Sequence, residues 1–367
     1  MKPLQNETEN RKVEHIDISL YENVKSRNIT TDFENVHFVH KALPEIDRDK
    51  IKLKTEVFGH KFSAPIFVGA MTGGTKRAKK INTHIAKAVQ ELDIGMGLGS
   101  QRAAIENSHL ESTYRIARQN APTAFLMANI GAAQLVQGYG VKEVQRAIDM
   151  IQADAVAIHL NPLQEAIQPE GEAKYSGVIK KVEELTRAID IPIIVKETGA
   201  GISAEVAKKL ENAGVKGIDI SGAGGTSWAA VEYYRAKKVK DSFHQRLGES
   251  FWDWGLTTVV SLVEVCQSTH LGVIASGGVR SGTDAAKSLA LGANLVSMAT
   301  PLLSPATIGA NEVKKALRFV IEELRNAMFL VGAGNVADLS KVPVVLLGRP
   351  AEWLRNRGFK PEMFARR

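Results

Sequence analysis

The sequence predicts an α/β chain folded as a (β/α)8 TIM barrel, with an N-terminal extension and a long loop after the sixth strand. Three observations carry that prediction. Short, nearly continuous apolar runs recur eight times, each ends in polar or glycine-rich residues, and amphipathic helical patterns separate them. Parallel strands covered by helices on both faces read as unbroken apolar runs. In a barrel the residues after each strand share one face, where such folds build their sites.

The runs are residues 65–70, 94–98, 123–128, 153–158, 192–195, 217–220, 272–275 and 295–298. Gly95, Gly97 and Gly99 make the second the weakest, since glycine offers no side chain to pack and loses most entropy. Between the runs, Ile81, Ile85, Val89 and Leu92 recur at helical spacing, as do Val141, Val144, Ile148 and Ile151, and Val178, Val182, Leu185 and Ile189. Ser203 and Ser281 (or Thr283) stand at N-cap positions, and Gly214 and Gly292 just past helix ends. The alternative, a doubly wound sheet, usually opens with a glycine-rich dinucleotide fingerprint, and none is evident.

The chain therefore divides into an N-terminal extension packing on the barrel (1–63), the barrel (64–334) and a C-terminal tail (335–367), as one domain overall. Short strands are expected within 33–39 and 51–58, and an amphipathic helix over 313–331. Two connections are long for βα loops, 161–176 and 222–254. The second holds Trp228, Tyr233, Tyr234, Phe243, Trp252 and Trp254, which suits either a lid or a subunit contact.

Composition narrows the function class. With 44% hydrophobic and 24% charged residues the chain reads as an ordinary soluble protein. A net charge of +7 favours anionic ligands but is mild for 367 residues, and no basic arm or zinc-finger signature points to nucleic acid. The single cysteine, Cys266, excludes an intrachain disulfide and a cysteine metal cluster. The polar first residues and the lack of a run of about 18 apolar residues point away from membranes and to the cytoplasm.

The strand endings carry the chemistry. In order they are Met71-Thr72-Gly73-Gly74, Ser100-Gln101-Arg102, Asn129, His159 with Asn161, Gln164 and Glu165, Lys196-Glu197, Ser221 with the glycines of 222–226, Gly277-Gly278-Val279-Arg280, and Ala299-Thr300. The Gly277–Arg280 turn offers backbone N–H groups, a helix N-terminus and a guanidinium after strand seven, where barrels commonly place a phosphate; the plainer reading is a tight turn with a surface arginine. Residues 222–226 read as a second anion nest or the root of the long loop. Lys196, closing an apolar strand, suits a Schiff base, a contact to an electron-rich cofactor, or a structural pair with Glu197. Glu165 among neutral oxygen donors suits Mg²⁺ shared with a substrate phosphate, or merely a helix start; His159 lacks a second histidine at zinc spacing.

Met71–Gly74, Ser100-Gln101-Arg102, His159-Leu160-Asn161-Pro162-Leu163-Gln164-Glu165, Val195-Lys196-Glu197, Ser221–Thr226 and Ala275–Gly282 together resemble the type 2 isopentenyl-diphosphate isomerases. The likeness runs from about Arg11 to about Gly334, and its specific part is the His-Leu-Asn-Pro-x-Gln-Glu segment with the Ser-Gln-Arg triplet. It implies a barrel holding reduced FMN, NADPH or NADH as electron source, Mg²⁺, and interconversion of isopentenyl and dimethylallyl diphosphate in a homotetramer or homo-octamer. FMN is then expected on Met71, Thr72, Gly73, Ser100, Asn129, Lys196, Ser221 and Thr226, with its phosphate on Gly277, Gly278, Arg280, Ala299 and Thr300. The substrate is expected on Arg11, Lys12, Ser100, Gln101, Arg102, His159, Asn161 and Gln164, with Glu165 holding Mg²⁺. Lys196, His159 and Gln164 take the catalytic places. By themselves Arg11, Lys12 and nearby His15 read as charges of a mobile terminus. One departure is Trp254-Gly255-Leu256-Thr257-Thr258, which lacks the proline expected near that helix start.

Other FMN barrels are the near alternatives. A hydroxy-acid oxidase calls for a histidine beside an arginine near strand seven, and a nucleotide dehydrogenase for a nucleophilic loop cysteine. A flavin-binding regulator has little use for a lysine, a glutamate and a histidine on one face.

Overall fold

Eight short parallel strands close on themselves in the computed structural model, which describes residues 4–367, with side chains from Asn10 onward. They are β1 (Ile66–Val68), β2 (Gly95–Gly97), β3 (Leu126–Gly131), β4 (Ala155–His159), β5 (Ile193–Lys196), β6 (Gly217–Asp219), β7 (Gly272–Ala275) and β8 (Leu295–Met298). Each pairs with its sequence neighbour, and β8 returns to β1 through Val296–Ile66 and Met298–Val68. The predicted barrel stands, with every run a strand. The glycines of β2 answer a packing need: a Cβ on Gly95 would stand 2.8 Å from the Phe67 ring.

Phe67, Phe125, Met127, Ala155, Ala157, Ile194, Ile274 and Leu295 fill the interior. A hairpin, Thr55–Val57 with His60–Phe62, plugs its lower end; the Phe58 ring lies within 2.6 Å of a Cβ built on Gly217 or Gly272. Each large apolar side chain so buried contributes about 1.5–3 kcal/mol. Outside, the helices Lys76–Leu92, Val141–Ile151 and Val178–Ala188 turn their predicted stripes inward, with Ile81, Ile85, Val144, Ile148, Val182 and Leu185 buried; Val141, at the first turn of its helix, is exposed. Ser203 accepts from the Val206 N–H and Ser281 from the Asp284 N–H, as N-caps should.

Two segments take forms that the sequence pattern did not show. Residues 222–254 are largely helical, Trp228–Lys238 packed on Ser242–Ser250. Residues 229–232 are all buried while Lys237 and Lys238 are exposed, so burial changes along the first helix and not around it, which blurs the amphipathic pattern. The C-terminal residues are no separate tail: Val344–Leu346 pairs antiparallel with Val36–Phe38, and Trp353 and Arg357 donate to the buried Glu264 carboxylate. The N-terminal helix Leu4–Tyr21 lies across the barrel mouth with Ile16 and Ile18 buried. At the helix Thr258–Ser268, Thr257 stands at the N-cap position without a proline and without a side-chain capping bond, its hydroxyl donating instead to buried Asp32. Among the described residues no helix is long and apolar enough to cross a membrane.

Candidate active site

Strand register sets the first row of the site. Gly131 on β3 is paired with His159 on β4, His159 with Lys196 on β5, and Lys196 with Asp219 on β6. One imidazole, one ammonium and one carboxylate therefore stand side by side at the C-terminal rim, above the apolar interior. They open into a cavity of about 280 Å³ roofed by the N-terminal helix.

His159 is held on its Nδ1 side by Asn129 Oδ1 at 2.8 Å, while the Asn129 amide donates to the Leu98 carbonyl. Burial, then the charges of Lys196 and Lys12, drives its pKa down to about 3, so the imidazole is neutral. Lys196 is 8% exposed and donates to the Glu197 carbonyl at 2.6 Å. The Glu197 carboxylate is not its partner. It accepts instead from the N–H groups of Thr198, Gly199 and Ala200, and burial, opposed by those bonds and by Lys196, pushes it up to about 7. Burial also raises Asp219, against the charge of Lys196 and the hydroxyl of Ser276.

On the β6–β8 side the wall is backbone. Gly277 and Gly278 have φ of 93° and 72°, open to glycine, and a Cβ on Gly277 would strike the Gly222 backbone. Ser221 takes φ 36° without being glycine, a strained conformation of the kind that collects at functional sites. Thr226 and Thr300 share a hydroxyl hydrogen bond at 2.8 Å. Behind the turn begins the helix Gly282–Ala290, and the exposed Arg280 side chain has no ion-pair partner among the described residues. Backbone turn, helix start and guanidinium make an anion cradle.

On the opposite side the N-terminal helix contributes Arg11, Lys12 and His15. Lys12 donates to the Ser100 carbonyl at 2.9 Å and to the Tyr114 hydroxyl at 2.6 Å. Arg102 bridges Glu106 at 2.7 Å and Glu172 at 3.5 Å. Below them Asn161 donates to Gln164 Oε1 at 3.2 Å and Glu165 Oε1 at 2.9 Å, and Gln164 Nε2 donates to Glu232 at 2.9 Å. Glu165 also accepts from Gln168 Nε2 and the Glu172 N–H. No group of three or more His, Cys, Asp or Glu that could cage a metal occurs among the described residues, so Glu165 stands as a lone carboxylate among amides.

Met71, Thr72, Gly73, Ser100, Asn129, Lys196, Ser221, Thr226, Gly277, Gly278, Arg280, Ala299 and Thr300 all line this cavity, as do Arg11, Lys12, Arg102, His159, Asn161, Gln164 and Glu165. Gln101 does not. It is 0% exposed, donating to the Ala147 carbonyl and accepting from the Asn129 N–H, so it braces the barrel wall. The reason is local: the chain turns into the helix Arg102–Glu106 directly after it, which swings the side chain outward toward Val141–Ile151.

Sequence reasoning left four groups out of the site, although it had noted His15 among the basic residues of the terminus. His15 donates to Glu232 at 3.2 Å and sits edge-on to Trp228, and its signal was its place four residues after Arg11, on the same helix face. Asp219 was visible as a charge inside an apolar run. Tyr114, whose ring leaves room only for glycine at position 73, and Glu232 gave no local signal.

A profile describing FMN-dependent dehydrogenases matches residues 5–127 and 160–345. Curated relatives named isopentenyl-diphosphate delta-isomerase include one from Pyrococcus furiosus, 53% identical and aligned over 95% of this chain and 89% of its own. Those from Thermococcus kodakarensis (52%; 95% and 94%) and Methanothermobacter thermautotrophicus (47%; 97% and 99%) are similar. The chain belongs to the isopentenyl-diphosphate delta-isomerases of the FMN-dependent dehydrogenase family. Solved mandelate oxidases share the fold of this isomerase-family chain, two of them with TM-scores of 0.62 and 0.63 at 18% identity, covering 91% and 94% of it and 92% and 99% of themselves.

Within the family the oxidase and dehydrogenase alternatives lose their chemistry here. His270 precedes β7 at the end opposite Arg280, and burial pushes the Cys266 thiol, on the helix Thr258–Ser268, up to about 12. The residues present fit FMN: a phosphate cradle after β7, a lysine at the rim of β5 and, at the end of β1, a wall that includes Gly69, Ala70 and Gly73.

Proposed function

We propose that this chain interconverts isopentenyl diphosphate and dimethylallyl diphosphate over reduced FMN. One observation carries the reading. A single cavity has two anion-binding sides, Gly277–Arg280 with Ala299 and Thr300 after β7 and β8, and Arg11, Lys12 and Arg102 with Asn161 across the ring. Two phosphorylated ligands with Lys196, His159 and Gln164 between them satisfy both.

The isomerisation adds a proton to one carbon and removes one two carbons away, with no net redox change. The side chains here are poor agents for both. His159 is neutral with a pKa near 3, and the Gln164 amide is neither acid nor base. Reduced FMN, when bound, supplies the acid–base function they lack. Lys196 would then hold the flavin's electron-rich edge, Gln164 the hydrocarbon end, and Arg11, Lys12, Arg102, His159 and Asn161 the diphosphate. Glu165 would share Mg²⁺ with the diphosphate, and NADPH or NADH would reduce the flavin. The exposed Val239, Phe243 and Trp254 offer a contact surface for a homotetramer or homo-octamer. We place the enzyme in the cytoplasm, without nucleic-acid or membrane partners.

The test is an anaerobic assay with FMN, dithionite, Mg²⁺ and isopentenyl diphosphate, following dimethylallyl diphosphate. Product with reduced and not with oxidised FMN is expected; tight FMN binding without product sinks the isomerase reading. Gln164→Ala or His159→Ala should slow turnover without abolishing it. Complete loss with FMN and substrate still bound would move the proton transfer onto that side chain.

A further inference from the structure

Arg235 stands outside the cavity, yet three carboxylates from three parts of the chain converge on it. Its Nε donates to Glu14 of the N-terminal helix at 3.3 Å, Nη1 to Glu232 on its own helix at 2.6 Å, and Nη2 to Glu170 of the connection after β4 at 2.7 Å. The side chain is 13% exposed and Glu232 wholly buried. Lys238 adds a second cation to Glu14 at 3.0 Å.

The two oxygens of Glu232 divide the work. Oε2 is taken by Arg235, and Oε1 accepts from both His15 at 3.2 Å and Gln164 at 2.9 Å. Burial opposes ionisation of Glu232, but the His15 hydrogen bond and the charge of Arg235 outweigh it and hold its pKa at about 2. The carboxylate therefore stays an acceptor, which turns the Gln164 amide nitrogen toward it and its oxygen toward Asn161. Glu170 Oε1 is shared with Arg11 at 3.7 Å, too long for a strong pair, so Arg11 keeps its freedom to meet an anion while Glu170 stays engaged.

We propose that Arg235 is a positioning residue, clasping the N-terminal helix over the cavity and, through Glu232, fixing the orientation of Gln164. The inference rests on the reading that Arg11 and Lys12 hold the diphosphate and Gln164 faces the hydrocarbon. A guanidinium presents donors in a fixed fork to three acceptors at once, which a lysine ammonium on its flexible stem does not reproduce. The N-terminal helix, a lid over the cavity, and the Gln164 amide thus share one buried carboxylate, so one clasp sets both.

Arg235→Lys, Glu14→Gln and Lys12→Ala, each as full-length FMN-loaded protein, test this. In Arg235→Lys, kcat falls about tenfold or more, the order expected for a misplaced active-site group. KM for isopentenyl diphosphate rises, trypsin cuts faster at Arg11 and Lys12, and FMN affinity stays within about twofold, since Arg235 does not line the cavity. Glu14→Gln loosens only the lid, raising KM and cleavage while kcat holds. Wild-type kcat and KM in Arg235→Lys overturn the proposal, as does a loss of FMN in parallel with activity, which marks a general structural role. Lys12→Ala separates the layers. If it raises KM while Arg235→Lys changes nothing, only the clasp fails; if KM does not move, the substrate reading fails and takes the clasp with it.

Discussion

His159 donates its Nδ1 proton to Asn129 Oδ1, which leaves Nε2 as an acceptor in a neutral ring. The consequence is a pH dependence with a definite sign. The folded pKa is about 3 against 6.5 unfolded, so below 6.5 the unfolded chain binds the extra proton and stability is lost as pH falls toward 3. Glu197 works the other way: folded about 7 against 4.5, it loses stability as pH rises from 4.5 to 7. The two oppose each other between 4.5 and 6.5. In His159→Asn only the Glu197 slope remains, and the unfolding free energy from urea curves should fall from about pH 5 to about pH 6.5 by on the order of 1–2 kcal/mol relative to wild type. Parallel curves for the two proteins rule the assignment out.

Gln101→Ala should behave as a stability variant. It strips partners from the buried Asn129 N–H and Ala147 carbonyl, each costing about 1–3 kcal/mol if left unmet. The midpoint of urea unfolding should drop while KM for isopentenyl diphosphate stays near wild type. A selective rise in KM with unchanged stability would return Gln101 to the substrate.

Gln101 also marks the boundary of what the sequence discloses. The strands were legible because burial on both faces makes each an apolar run, and the rim residues because they follow those runs directly. Which way a rim side chain turns depends on the next few backbone angles, and for Gln101 a helix beginning one residue later decides it. The helix Trp228–Lys238 escaped because its first half is buried on several sides, which erases the amphipathic period there. Glu232 was illegible for a further reason: its partners His15 and Gln164 lie 217 and 68 residues away, and only the closed barrel brings them together.

Arg280→Ala should weaken FMN more than riboflavin. The exposed guanidinium stands beside the Gly277–Gly278 turn with no ion-pair partner among the described residues, so its charge is available to a phosphate. A charge-assisted hydrogen bond contributes about 1.5–3 kcal/mol, or roughly 10- to 150-fold in Kd. Flavin fluorescence titrations with both ligands read the ratio directly. An equal loss for FMN and riboflavin would show that Arg280 shapes the turn instead of meeting the phosphate.

Glu165 supplies the metal prediction. Its carboxylate accepts from Asn161 Nδ2 at 2.9 Å, Gln168 Nε2 at 2.8 Å and the Glu172 N–H at 2.7 Å, and among the described residues no metal-caging group of carboxylates forms around it. One protein carboxylate is a typical share for Mg²⁺, which keeps waters and takes its remaining oxygens from phosphates. Mg²⁺ binding should therefore be conditional: calorimetry on the ligand-free protein shows no tight site, and a site appears once the diphosphate is present. By linkage, Mg²⁺ should then tighten the diphosphate by the same factor. Glu165→Gln keeps an oxygen but loses the charge, so the Mg²⁺ stimulation of turnover should largely vanish while FMN affinity is unchanged. A tight Mg²⁺ site in the ligand-free protein, or full stimulation of Glu165→Gln, would place the metal elsewhere.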